Sequence, residues 1–133
     1  MPVPLPDGLL DLLRQPSLCF VATVMPDGSP QLTETWVTTD GEHVQINIVD
    51  GMQKARNLAR DPRVAVNVAD PANPRRYYGV RGRAIEVTAD GGAESINEIS
   101  RKYLGRDYPG FGSGPQTRLL VTIEADSVTR AGG

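Results

Sequence analysis

Polar and apolar residues alternate along most of this chain, and the alternation gives way to helical spacing in three short places. Over 17–24, Leu18, Phe20, Ala22 and Val24 fall on one side of an extended segment and Cys19, Val21 and Thr23 on the other. Both sides are largely apolar, which predicts a central strand. Segments 31–38, 43–49, 63–69 and 117–126 read as further strands, with Val64, Val66 and Val68 inward in the third. A long strand is predicted over 77–88, and Gly79 and Gly82 within it predict bulges or a bend. Helical spacing over 7–14 gives a buried stripe of Leu9, Leu10, Leu12 and Leu13. Over 93–104 it aligns Ile96, Ile99 and Tyr103, with Asp90 near the helix start. The third helix is the basic stretch that begins after Gly51 and is stopped by Asp61-Pro62.

Turn residues punctuate these elements. Pro26-Asp27-Gly28-Ser29-Pro30 has a proline and an aspartate to start a turn and a glycine for positive φ, and Asp40-Gly41 is a hairpin signal between 31–38 and 43–49. Residues 71–74 read as a loop. The glycine- and proline-rich segment 105–116 is a connector of the kind that also serves as a lid, but it lacks the Gly-Lys-Ser/Thr of a nucleotide loop. Six or more mostly antiparallel strands with short helices predict a mainly β protein, a small barrel rather than a parallel sheet.

Composition narrows the function classes. A length of 133 residues fits one domain. A net charge of −2 gives no general attraction to nucleic acid or anionic membranes, so Lys54–Arg63 and Arg75–Arg83 stand out as local basic clusters. One cysteine excludes an internal disulfide, and no cysteine–histidine spacing suggests a metal site. The first six residues lack the basic and apolar regions of a secretory signal, and no run reaches membrane-spanning length, so a cytoplasmic protein is expected.

No protein-side catalytic set is visible. His43 sits beside a turn without an evident partner, Cys19 falls inside a strand, and the acidic residues are scattered. The candidate chemistry is at the basic helix. Its unpaired first-turn amides, its dipole and the side chains of Lys54 and Arg56 suit a phosphate, although the same residues also fit the solvated face of an exposed helix. Residues two apart on a helix point about 200° apart, so both cations share one phosphate only if Lys54 still lies in the turn that opens the helix. Lys54 is the first choice. A phosphate site without an acid, base or nucleophile fits a protein that takes its reactivity from a cofactor.

Val21-Ala22-Thr23, Pro26-Asp27-Gly28, Pro30-Gln31-Leu32-Thr33 and the run from Lys54 through Asn57-Leu58 to Arg60-Asp61-Pro62-Arg63 together resemble the pyridoxamine-phosphate-oxidase-like split β-barrels. The resemblance covers about residues 8 to 125 and is nearest to the actinobacterial branch that binds the deazaflavin coenzyme F420 or, less often, FMN. It implies a homodimer with the cofactor in a groove at the subunit interface. Carried over to this chain, it implies that Lys54 and Arg56 neutralise the cofactor phosphate, helped by the backbone at Met52 and Gln53. Asn47, Ile48 and Val49 would run along the ring; Gln31, Thr33 and Trp36 would line its other flank, Trp36 being equally readable as a core or interface aromatic. Arg75, Arg76, Tyr77 and Tyr78 would reach the partner's cofactor, or form a solvated basic loop. Arg60 and the Arg75-Arg76 pair favour the longer, anionic F420. The implied activity is an F420-dependent oxidoreductase passing a hydride from the reduced deazaflavin to an electron-poor small molecule. The alternatives are an FMN oxidase or reductase of the same fold, and a non-catalytic F420 carrier. Lys102, on the distant C-terminal helix, is expected to take no part in the phosphate site.

Overall fold

The computed structural model describes residues 1–110 and 116–132. Its elements, in chain order, are α1 (Asp7–Leu13), β1 (Leu18–Val24), β2 (Pro30–Glu34), β3 (Val37–Thr39), β4 (Val44–Val49), α2 (Gln53–Arg60), β5 (Arg63–Asp70), β6 (Asn73–Thr88), α3 (Gly92–Leu104) and β7 (Arg118–Ala131). The seven strands form one sheet in the order β2-β1-β5-β6-β7-β4-β3, and every pairing is antiparallel. The two end strands, β2 and β3, are consecutive in the chain and separated only by Thr35 and Trp36. Such a link spans at most about 11 Å from Glu34 to Val37. The sheet must therefore curl until its edges nearly meet without hydrogen-bonding to each other, which makes it a split barrel.

The interior is filled from both sources the sequence pattern indicates. Strand residues Val21, Val66, Val80, Ile46, Val121 and Ile123 meet Leu9, Leu12 and Leu13 of α1, all nearly or fully buried. Ile96 and Ile99 of α3 are buried separately. Gly82 lies at one of two register shifts between β6 and β7; a Cβ there would stand 1.9 Å from the Glu124 carbonyl oxygen. The expected bulge is thus present, at a point where the two backbones approach too closely for any side chain.

Five details depart from the sequence expectations. The strand expected over 31–38 is two strands: the Thr35 amide bonds the Cys19 carbonyl (2.9 Å), and Trp36 then turns to stack on Tyr103, sending the chain across to β4. Strand β6 begins at Asn73, so the expected loop 71–74 shrinks to a turn at Pro71-Ala72. β7 continues to Ala131 because the first half of β6 needs a partner, Tyr77 pairing with Ala131. Gly91, at φ 77°, is the N-cap of α3, and Asp90 does not cap it. Strand β1 does lie between two others, but its Leu18–Phe20 face is open, at 40% and 37% exposure. Among the described residues, no helix is long and apolar enough to cross a membrane.

Candidate functional site

The orientation of α2 follows from what it buries. Ala55, Asn57 and Leu58 are buried, and Asn57 is fully so. Its Nδ2 donates to Thr23 Oγ1 (3.0 Å) and Gln31 Oε1 (3.2 Å), while its Oδ1 accepts from Gln53 Nε2 (2.8 Å) and Arg60 (3.3 Å). A buried amide with its bonds made resists rotation of the helix about its axis. Lys54, one helical turn before Asn57 and Leu58, is thereby turned toward the barrel, where its Nζ donates to Thr33 Oγ1 on β2 (3.2 Å). Arg56 is turned to solvent and folds back on the Gly51 carbonyl and Gln53 Oε1. The two cations point apart, as two residues' separation on a helix requires.

Lys54 faces a cavity of about 460 Å³, within the usual range for ligand pockets. Trp36, Ile48, Val49, Met52 and Ile96 supply much of its apolar wall. Trp36 is stacked on Tyr103 (centroids 5.1 Å apart, planes at 10°) and meets Tyr108 edge-on at 6.3 Å. Tyr108 is brought in because the chain after α3 folds back along that helix: its amide donates to Asn97 Oδ1 (2.9 Å), and Ser100 donates to the Arg106 carbonyl (2.7 Å). Arg118, the first residue of β7, pairs with Val49 at the end of β4, which runs directly toward α2. This register brings Arg118 to the same cavity as Lys54. Its Nε donates to Asn47 Oδ1 (2.7 Å), a second nitrogen to Gln116 Oε1 (3.3 Å), and its guanidinium lies over the Tyr108 ring at 4.9 Å. Asn47 Nδ2 in turn donates to the Gly92 carbonyl (2.8 Å). Gly92 passes so close to β7 that a Cβ would lie 2.1 Å from the Arg118 carbonyl oxygen.

Two cations, Lys54 and Arg118, share this cavity. Burial pulls Lys54 below the ordinary lysine range, and the charge of Arg118 adds to the effect. Burial likewise lowers Arg118, partly offset by Tyr108. Glu34 also lines the cavity, but among the described residues neither Lys54 nor Arg118 forms an ion pair with a carboxylate.

Six of the residues singled out in the sequence line this cavity: Trp36, Asn47, Ile48, Val49, Met52 and Lys54. Thr33 touches it only through its bond to Lys54. Gln31, Gln53 and Arg60 belong to the network around Asn57, and Arg60 also donates to the Val24 carbonyl. The residues at the start of β6 lie elsewhere. Arg76 pairs with Asp70 (3.4 Å), Arg75 is exposed, Tyr77 is on the outer face, and Tyr78 is buried beneath α1 near Gly8. Arg118, Tyr108, Gln116 and Ile96 were not singled out for the site; the usable signal for Arg118 is an arginine opening a strand that must pair with the strand feeding a basic helix.

Other expectations change or hold. His43 does have a partner, Asp40, at 2.8 Å. Cys19 is buried, and burial pushes its thiol up to about 12, which suits an inert apolar role. No cluster of metal-ligating residues occurs among the described residues. Of the segment expected as a lid, residues 111–115 lie outside the described residues. Lys102 is not a neutral surface position: its half-buried ammonium donates to the carbonyls of Leu13 (2.7 Å) and Val37.

Comparison with known proteins agrees with this architecture. An F420 reductase of known structure is 30% identical, superposes with a TM-score of 0.78, and is matched over 94% of this chain and 98% of its own. A conserved hypothetical protein from Mycobacterium tuberculosis is 24% identical, with a TM-score of 0.72 over 98% of this chain and 86% of its own. A putative pyridoxamine 5'-phosphate oxidase from Lactobacillus delbrueckii is 20% identical, with a TM-score of 0.65 over 95% and 93% of the two chains. The last two speak for the fold alone. Residues 5–130 match the family described as pyridoxamine 5'-phosphate oxidase, and with its curled antiparallel sheet the chain belongs to that family of split barrels.

Proposed function

We propose that the cavity beside Lys54 is a cofactor groove, and that the protein is a reductase that binds coenzyme F420. The observation that carries this reading is Lys54 itself: a half-buried ammonium at a helix N-terminus, facing a cavity with a substantial apolar wall, bonded to a threonine hydroxyl and ion-paired with no carboxylate among the described residues. A phosphate placed there would meet the Lys54 ammonium and the amides at the start of α2, and would compensate a desolvated charge. The residues fit a planar, phosphorylated ligand. Trp36, Val49, Met52 and Ile96 offer apolar contacts, and Asn47 and Arg118 offer polar ones. A bound, reduced deazaflavin supplies a hydride from its C5 position. The chain's own contribution is orientation, exclusion of water and neutralisation of anionic groups.

F420 is preferred to FMN on two grounds. The 30%-identical relative is an F420 reductase, and the cavity holds a second cation, Arg118, beyond the one that a single phosphate needs. The assembly belongs to the same proposal. Leu18, Phe20, Leu32 and Tyr77 lie exposed on the outer face of β1, β2 and β6, and a second subunit packing there would cover them. Tyr77, with Arg75, is then available to the partner, whereas Tyr78 is committed to the core.

Titrating the purified protein with F420 and with FMN tests the reading, with its only tryptophan, Trp36, as the fluorescent reporter. Saturable quenching, tighter for F420, is expected. Tighter binding of FMN would transfer the assignment to the flavin, and no saturable binding of either would remove the groove. Oxidation of bound reduced F420 by an electron-poor acceptor separates a reductase from a carrier.

A further inference from the structure

We propose that Arg118 forms a second anion subsite in the cavity, distinct from that of Lys54, and that it takes a carboxylate. The inference deepens the preceding reading, which counts Arg118 as a second cation in the cavity, and adds to it how that guanidinium is held. A guanidinium is fixed in place by two neutral amide oxygens, those of Asn47 and Gln116, and by the face of Tyr108. Asn47 is itself anchored to the Gly92 carbonyl, so the arrangement is tied to the start of α3. None of these partners carries a negative charge, and among the described residues no carboxylate pairs with Arg118. A fork of donors held rigidly, stacked on a ring and left uncompensated at the edge of a cavity is suited to a planar, bidentate acceptor. Lys54, a point charge at the helix start, is the better partner for a tetrahedral phosphate.

The carboxylate has two possible sources: the acceptor molecule or the glutamate tail of F420. Binding of cinnamate and of its uncharged counterpart, cinnamamide, tests the proposal. Binding is followed by the single indole N–H signal of Trp36 in a nitrogen–proton NMR spectrum, which detects weak ligands. Cinnamate is expected to bind the native protein at least about tenfold more tightly than cinnamamide, the range of one charge-assisted hydrogen bond. Arg118→Gln should abolish the preference, Arg118→Lys should retain part of it, and Lys54→Ala should leave most of it. Equal binding of acid and amide by the native protein overturns the proposal without recourse to a variant that might misfold, and loss of the preference in Lys54→Ala but not in Arg118→Gln overturns it as well.

Repeating the titration on protein saturated with each cofactor separates the sources. Cinnamate binding that persists with F420 assigns the subsite to the acceptor. Displacement by F420 but not by FMN assigns it to the tail. Displacement by both means that Arg118 belongs to a single phosphate-and-ring site and contradicts a second subsite. Failure of both cofactors to bind would count against the proposed function and leave the acid–amide preference to be read on its own.

Discussion

Two regions of this molecule each hold a half-buried lysine, and they have opposite characters. At the start of α2, Lys54 has one hydroxyl partner and an open cavity before it. At the end of α3, Lys102 donates to two backbone carbonyls, Leu13 and Val37, and lies 5.2 Å from the centre of the Tyr103 ring. Neighbouring Tyr103 donates to the Ser17 carbonyl (2.7 Å) and accepts the Val37 amide (3.2 Å). Lys102 and Tyr103 therefore fasten α3 to α1 and β3 with nearly every donor in use. Burial lowers both lysines, Lys102 to about 8. The shift is common to both sites and does not tell them apart. What differs is where the donors point: in one region they close the fold, in the other they point at space.

The sharpest way to break this comparison is to remove each lysine and read both stability and ligand binding. Lys54→Ala should lower cofactor affinity by roughly ten- to a hundredfold, the loss of about 1.5–3 kcal/mol for a charged hydrogen bond, with little change in melting temperature. Lys102→Met keeps the apolar stem but leaves two carbonyls without their donor. It should cost about 1–3 kcal/mol of stability and lower the thermal midpoint by roughly 5–10 °C, with cofactor affinity nearly unchanged in the folded protein. Equal effects of the two substitutions on affinity would mean that Lys54 is only a solvated surface charge.

A smaller effect concerns pH. The folded-state value of Lys102, about 8, lies below its unfolded value near 10.5. Between the two the unfolded chain keeps a proton that the folded chain has lost, so this group makes stability rise with pH across that window. Cys19, raised to about 12, acts in the opposite sense above the usual thiol range. The Lys102 contribution is therefore read as the difference between native protein and Lys102→Met. Discounted for the water that reaches a half-buried ammonium, it is on the order of 1 kcal/mol. A difference that does not change between pH 8 and 10.5 would contradict the buried setting of Lys102.

The smallest effect is at Thr33, the one described hydrogen-bond partner of Lys54. Thr33→Val should change cofactor affinity by less than about tenfold, because a neutral hydrogen bond contributes about 0.5–1.5 kcal/mol and the ammonium keeps its charge. A loss as large as that of Lys54→Ala would mean that Thr33 itself contacts the ligand.

How much of this was legible in the sequence depends on what kind of information each feature needs. The strand alternation, the Asp-Gly hairpin and the helix halted by Asp61-Pro62 are local patterns, and they place the elements, with strand ends that differ by up to five residues. The break at Thr35-Trp36 is not local, because it depends on Trp36 finding Tyr103 on α3. Helical geometry alone says that Lys54 and Arg56 point apart; which of them faces the barrel is decided by the burial of Asn57 and Leu58. Arg118 could not be found from local geometry, since its place beside Lys54 comes from the β4–β7 register. The fastening role of Lys102 is not legible either, because a lysine in a polar helical stretch gives no sign of the carbonyls it meets across the fold.

The most direct test of the central claim is a crystal structure of the protein with F420 bound. The phosphate is expected within hydrogen-bonding distance of Lys54 Nζ and the first amides of α2, with the ring in the cavity edged by Trp36. A phosphate held instead at Arg75 and Arg76, or on the outer face of the sheet, would contradict the account.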